Sequence, residues 1–99
     1  MPQSTVLRYV AEIAAKAAFI RKVVLFGSRA KGTARPYSDY DLAVQLDPEA
    51  PKLEWLAFKF HADENAPTLC ELSLVEWTDT LRPELQASIE REGVVIYER

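Results

Sequence analysis

The sequence predicts an α/β fold, a small mixed sheet with helices packed on it. Along the chain, segments with the helical period alternate with short apolar or alternating runs of strand length. Hydrophobic side chains make up 48% and charged side chains 27% of the 99 residues, an ordinary globular composition that excludes wholesale disorder. A chain of this length predicts one domain, over residues 1–99.

The first predicted helix spans residues 5–20, and Ser4 or Thr5 can cap its start. Its apolar residues recur with the helical period and predict one buried face, Val6, Val10, Ile13 and Ala17. Arg21 and Lys22 then lie near the predicted C-terminal end, where positive charge suits the helix dipole.

Two more helices are predicted later in the chain, over residues 53–61 and 83–92. The apolar residues along one side of the earlier one are Leu53, Leu56 and Phe60. In the later one, Pro83 suits the first helical position and Gly93 suits the C-terminal cap.

Four runs predict the strands of the sheet. They are apolar or alternate apolar with polar residues: Val23–Phe26, Asp41–Leu46, Leu69–Trp77 and Val94–Tyr97. The segments Gly32–Ser38 and Asp47–Lys52 are rich in turn formers and predict loops.

Composition also excludes several functional classes. Cys70 is the one cysteine and His61 the one histidine, so the sequence offers neither an internal disulfide nor a zinc-binding cluster. No apolar run approaches the ~18 residues of a membrane span. Arg8 and Glu12 interrupt the segment where an export signal would be apolar, so we expect a cytoplasmic protein without membrane contact. The net charge of −3 disfavours direct DNA binding.

Two carboxylates open the second predicted strand. Asp39 and Asp41 lie two residues apart, a spacing that puts both side chains on the same face of a strand. Neighbouring carboxylates repel unless a positive charge lies between them, and Mg²⁺ is typically held by one or two carboxylates plus substrate phosphates. The alternative is a solvated strand edge or turn, where aspartate is also common.

A glycine ends the first predicted strand. Gly27 would let an anion approach the backbone, and a helical turn that begins at Ser28 would point its N–H groups at that anion. Arg29 and Lys31 add positive charge nearby, although each alone is also typical of an exposed turn. The Walker loop is excluded, because Thr33 follows the second glycine where that motif requires lysine.

Together these features form a specific pattern: Gly27-Ser28, ten residues, then Asp39-x-Asp41, between apolar strands. The pattern resembles the signature of the DNA polymerase beta-like nucleotidyltransferases, and of their minimal nucleotidyltransferase members in particular. The likeness extends over nearly the whole chain, with the run GSRAKG and the run SDYDLAV as its most specific parts.

The resemblance implies the nucleotidyltransferase fold and a role for each motif residue. Gly27 and Ser28 would hold the triphosphate of ATP or another nucleoside triphosphate, with Arg29 and Lys31 as further nucleotide contacts. Asp39 and Asp41 would be catalytic ligands of Mg²⁺. The family transfers a nucleoside monophosphate and releases pyrophosphate. Its minimal members often act as the antitoxin or partner of a small helical HEPN-type protein.

The sequence departs from the family at the third carboxylate. Family members usually carry an aspartate on a later strand, and Ser73 stands at the matching position. Serine cannot take a proton at neutral pH, whereas a positioned general base contributes typically 10²–10⁴-fold in rate. Glu71 lies about 6.7 Å from Ser73 along the strand, so it substitutes only if a bulge brings it closer or if the match to the family slips by two residues.

Two activities therefore stay open: a Mg²⁺-dependent transferase, and a catalytically weak or inactive binding module that acts as an antitoxin. For a partner surface, Trp55 and Phe58 lie off the side that carries Leu53, Leu56 and Phe60. They form a surface for a helical partner or a second copy of the chain, or else the other helices cover them.

Overall fold

The computed structural model describes residues 3–78 and 80–99. Its helices are α1 (Gln3–Ala15), α2 (Ser28–Lys31), α3 (Lys52–Glu64) and α4 (Pro83–Glu92). Its strands are β1 (Ile20–Phe26), β2 (Tyr40–Leu46), β3 (Leu72–Glu76) and β4 (Val94–Glu98).

The strands form a sheet of order β3-β2-β1-β4. β1 runs antiparallel to both of its neighbours, β2 and β4, while β3 runs parallel to β2. The predicted α/β class with a small mixed sheet is thus confirmed.

Helices cover both faces of the sheet because successive side chains of a strand point to opposite faces. Val23 and Leu25 pack in the core beneath α1 and α3. Val24 and Phe26 pack on the other face, against Ile89 of α4. The run Val23–Phe26 of β1 is therefore buried on both sides, which explains why it is continuously apolar.

The first helix is shorter than predicted. α1 ends at Ala15, and the chain then turns into β1, which begins at Ile20. Ile20 pairs with Leu46 of β2 and is fully buried, so strand pairing overrides the helical propensity of the preceding alanine-rich segment. Arg21 and Lys22 consequently belong to β1 and not to a helix end.

The predicted cap of this helix is also wrong. Ser4 and Thr5 already lie inside α1, so neither occupies the capping position before its first turn. At α4, in contrast, Pro83 begins the helix and the N–H of Gly93 donates to the carbonyl of Ile89 at 2.9 Å, as predicted.

α3 turns its larger aromatic residue inward. Trp55 is 5% exposed and stacks on Phe58, so the structure covers these two side chains within the fold. Burial of an indole removes more apolar area from water than burial of a leucine. The side that carries Leu53, Leu56 and Phe60 is instead exposed, with exposed fractions of 80%, 50% and 70%.

None of the helices within the described residues is long and apolar enough to cross a membrane.

Candidate functional site

Three predicted site segments meet at one end of the sheet. Phe26, the last residue of β1, pairs with Asp41 near the start of β2, and Asp41 pairs with Ser73 of β3. Gly27 follows Phe26 directly and leads into α2. The antiparallel pairing of β1 with β2 therefore places the Gly27 turn beside the Asp39-x-Asp41 segment.

Asp41 is a half-buried carboxylate with a second carboxylate nearby. Burial raises the pKa of Asp41 above its ordinary value, and the negative charge of Asp39 raises it further. Asp39 itself is exposed. Among the residues that the structure describes, no lysine or arginine forms an ion pair with either carboxylate.

This arrangement fits a divalent cation. Asp41 and the nearby carboxylate of Asp39, which form no ion pair with a described lysine or arginine, supply the oxygen ligands that Mg²⁺ prefers. The described residues contain no cluster of three carboxylate, histidine or cysteine ligands, so substrate oxygens or water would complete the coordination.

Gly27 makes room for Asp41. Its backbone has φ 76° and ψ −157°, a conformation that only glycine adopts readily. A Cβ atom on Gly27 would lie 2.5 Å from Asp41 Oδ2, closer than such contacts occur. The sequence predicts a glycine here for the approach of an anion to the backbone. The structure shows a second reason, the closeness of the Asp41 carboxylate, which the sequence does not reveal.

The turn after Gly27 is helical, as predicted. Ala30 and Lys31 donate their N–H groups to the carbonyl of Gly27 at 3.1 Å each, and Ser28 begins α2. Gly32 ends α2 with φ 79°, in the left-handed region. The phosphate contacts of Gly27 and Ser28 stay predictions.

The two basic side chains of this turn make protein contacts. Lys31 Nζ lies 3.3 Å from Glu92 Oε2 in a partly exposed ion pair with the end of α4. The guanidinium of Arg29 donates to the backbone carbonyls of Pro36 and Ser38. These contacts differ from the nucleotide contacts predicted for Arg29 and Lys31, which stay predictions.

Ser73 is the β3 side chain beside Asp41. Leu72 and Leu74 are buried beneath α1 and α3, so Ser73 points to the opposite face of the sheet, the face of Asp41. Glu71 precedes the first residue of β3 and is exposed, and its carbonyl accepts the N–H of Tyr40 at 3.0 Å. The observed register thus places Ser73, not Glu71, beside Asp41, and its match to the third carboxylate of the family stays a prediction.

Comparison with known proteins identifies the family. The family described as "Polymerase beta, Nucleotidyltransferase" matches residues 9–99. The chain belongs to this nucleotidyltransferase family. No curated protein matches it significantly in sequence.

Solved structures share the fold of this nucleotidyltransferase domain. One is described as a toxin–antitoxin with AMP-PNP, at a TM-score of 0.73 and 16% identity, covering 94% of this chain and 73% of the other. Another is a mutant of the toxin–antitoxin MntA–HpeT, at a TM-score of 0.72 and 14% identity, with the same coverage of 94% and 73%.

A third similar structure comes from Sulfolobus solfataricus and is described as a candidate nucleotidyltransferase. It has a TM-score of 0.61 and 17% identity, and the match covers 97% of this chain and 79% of the other. At these identities the likeness establishes the common fold.

We predict that Gly27→Ala destabilises the domain far more than Gly32→Ala. Both glycines have positive φ, but a Cβ on Gly32 meets nothing within 4 Å. Gly32→Ala should cost about 1–2 kcal/mol for the left-handed backbone. Gly27→Ala should cost about 3 kcal/mol or more, since it adds the collision with Asp41 to a backbone conformation of higher strain. Urea unfolding measures both values.

A double-mutant cycle with Asp41→Ala isolates that collision. Without the carboxylate, the cost of Gly27→Ala should fall to its backbone part. The same cost in both backgrounds would show that Gly27 does not serve to accommodate Asp41.

Proposed function

We propose that this domain is a Mg²⁺-dependent nucleotidyltransferase that transfers AMP from ATP to a hydroxyl group on a partner protein. The observation that carries the proposal is the meeting of the Gly27 turn with Asp39 and Asp41 at one end of the sheet. Family membership supports the reaction class. A cytoplasmic location would supply the nucleotide.

Each part of the site has a task in this reaction. The turn at Gly27 and Ser28 would bind phosphate oxygens through backbone N–H groups and the serine hydroxyl. Asp39 and Asp41 would hold Mg²⁺, which when bound neutralises phosphate charge and orients the groups that react. The pKa of Asp41 is raised in the chain without a bound metal. A bound cation would lower it, because a positive charge favours the ionised carboxylate.

Because Ser73 lies beside Asp41, we expect nucleotidyl transfer by this chain to be slow. At the sheet position beside Asp41, the chain has a hydroxyl that cannot accept a proton from the attacking group. A missing general base lowers the rate by typically 10²–10⁴-fold. This same observation favours the second candidate function, a nucleotide-binding antitoxin module without turnover.

A toxin of the HEPN type is the partner that we propose. Two of the similar structures are described as toxin–antitoxin structures. The exposed apolar side of α3, formed by Leu53, Leu56 and Phe60, offers a helical partner a surface whose burial would be favourable. A second copy of this chain would compete for the same side.

Intact-mass spectrometry tests the transferase directly. The chain is purified with its partner and incubated with ATP and Mg²⁺. We expect the partner to gain the mass of AMP slowly. Ser73→Asp should accelerate the gain by roughly 10²-fold, since it restores a carboxylate beside Asp41.

Asp41→Asn is the control, because it keeps the shape of the side chain and removes the charge. The mass gain should disappear in this variant. A partner that stays unmodified with both the wild-type chain and Ser73→Asp would contradict the transferase and leave the antitoxin module as the function.

The proposed partner surface has its own test. The double substitution Leu53→Ser/Phe60→Ser should abolish co-purification of an HEPN-type protein identified by mass spectrometry, with little change in Tm because both side chains are exposed. Leu69→Ser is the matched control, since Leu69 is fully exposed but lies outside α3.

Equal retention of the partner by the double variant and by Leu69→Ser would contradict this surface. Light scattering on the purified chain without a partner tests the alternative, in which a second copy of the chain covers this side of α3. A dimer that the double substitution dissociates would assign the side of α3 to a second copy.

A further inference from the structure

One side chain of α2 holds the backbone that leads into Asp39. Arg29 Nε and Nη2 donate to the carbonyl oxygen of Ser38 at 3.2 Å and 2.8 Å. Nη2 also donates to the carbonyl oxygen of Pro36 at 3.2 Å. The planar fork of the guanidinium suits two such acceptors at once, so it fixes the last residues before the first carboxylate.

The same guanidinium holds the residue that follows Asp39. Arg29 Cζ lies 4.1 Å from the centroid of the Tyr40 ring. Tyr40 is 1% exposed and belongs to the core beneath α1 and α3, so the ring is a fixed support. Ser38 and Tyr40 flank Asp39, and Arg29 therefore restrains the chain on both sides of it.

A third contact joins the loop of residues 33–39 to the segment that precedes β3. Arg29 Nη2 lies 3.5 Å from Cys70 Sγ, and the Cys70 thiol donates to the carbonyl of Pro36 at 3.4 Å. Cys70 lies two residues before β3, the strand that carries Ser73. The loop is thus held from α2 and from the segment that enters the neighbouring strand.

Asp39 depends on this backbone support because its own side chain makes few contacts. It is exposed, and no hydrogen bond or ion pair joins its carboxylate to another described residue. Its direction depends on the backbone around it. A metal ligand that is misplaced by a mobile loop loses affinity, and outer partners that orient ligands are worth about 10–100-fold in metal binding.

We propose that Arg29 is a positioning residue that links the Gly27 turn to the carboxylates. Arg29 lies in α2, directly after Gly27 and Ser28, and its side chain fixes the backbone around Asp39. The Gly27 turn and the carboxylate segment therefore keep a fixed position relative to each other. Its consequence for metal binding rests on the proposed function. The alternative, that Arg29 acts only as a positive charge near the nucleotide, predicts no change in the loop when Arg29 is replaced.

Three variants separate these explanations. Arg29→Met removes the fork and the charge, and Arg29→Lys keeps a charge but loses the fork. Arg35→Met is the control, since Arg35 lies in the same loop and contacts Ser38 through its backbone N–H. Amide hydrogen exchange by NMR reports the loop, and electron paramagnetic resonance of free Mn²⁺ reports metal affinity.

In Arg29→Met we expect the exchange of the Ser38 and Tyr40 amides to rise about tenfold, with the amides of Leu42 and Val44 unchanged. The Kd for Mn²⁺ should rise about tenfold as well. Arg29→Lys should fall between this variant and the wild type, and Arg35→Met should match the wild type in both measurements.

Equal loop exchange and equal Mn²⁺ affinity in Arg29→Met and Arg35→Met would overturn the proposal. If Arg29→Met does not fold, Arg29→Lys decides in the same way, with protected amides at Leu42 and Val44 as the sign of an intact sheet. A wild-type chain that binds no Mn²⁺ would overturn the proposed metal site instead, and the exchange at Ser38 and Tyr40 would still decide the role of Arg29.

Discussion

Asp41 is held half-buried against Gly27, with the negative charge of Asp39 nearby, and the surrounding structure is arranged around that contact. The antiparallel register of β1 and β2 brings the glycine to the carboxylate. The backbone conformation of Gly27 and its missing side chain leave space for the carboxylate. Burial and repulsion both oppose ionisation, so the contact costs stability in the chain alone. Functional sites commonly carry such a cost, and a bound cation would offset it.

At this end of the sheet, few positions require one particular residue type for the fold or for the site. The run Val23–Phe26 of β1 is buried by helices on both faces and requires only apolar residues that fill the space. The residues to which we assign a particular chemical role are Gly27, Asp39, Asp41 and Arg29. Solved structures of 14–17% identity share the fold of the chain, which agrees with a core that tolerates many apolar substitutions.

Local signals in the sequence predicted the elements well where local chemistry decides them. Pro83 and Gly93 bound α4 correctly, and the alternation of apolar and polar residues located β2 within one residue. The faces of α3 could not be predicted, because residues on both sides are apolar. Which side packs inward depends on where Trp55 meets the sheet. The end of α1 depends on the distant pairing of Ile20 with Leu46.

The candidate site was predictable as a pattern but not as a set of contacts. The spacing from Gly27 to Asp41 indicated the family, and membership is confirmed. The placement of Ser73 required the register between β2 and β3, since a shift of two residues would have put Glu71 there instead. The contacts of Arg29 with Ser38 and Tyr40 were also hidden, because a basic residue after a glycine turn suggests phosphate more readily than backbone carbonyls.

The most direct test of the proposed metal site at Asp39 and Asp41 is the thermal unfolding of Asp41→Asn with and without Mg²⁺. At neutral pH and without Mg²⁺, we expect this variant to melt above the wild type, because it removes a negative charge that burial and the charge of Asp39 both disfavour. Mg²⁺ should raise the Tm of the wild type and leave that of the variant unchanged.

The direction of this change in Tm follows from the raised pKa of Asp41. Ionised Asp41 disfavours the folded state at pH values above its folded-state pKa, and the gain in Tm should vanish as the pH falls below its ordinary value of 3.8. Asp47→Asn is the control, because Asp47 forms an ion pair with Arg21 and its replacement should not raise the Tm. A lower Tm for Asp41→Asn, or an undiminished response of that variant to Mg²⁺, would contradict the metal site.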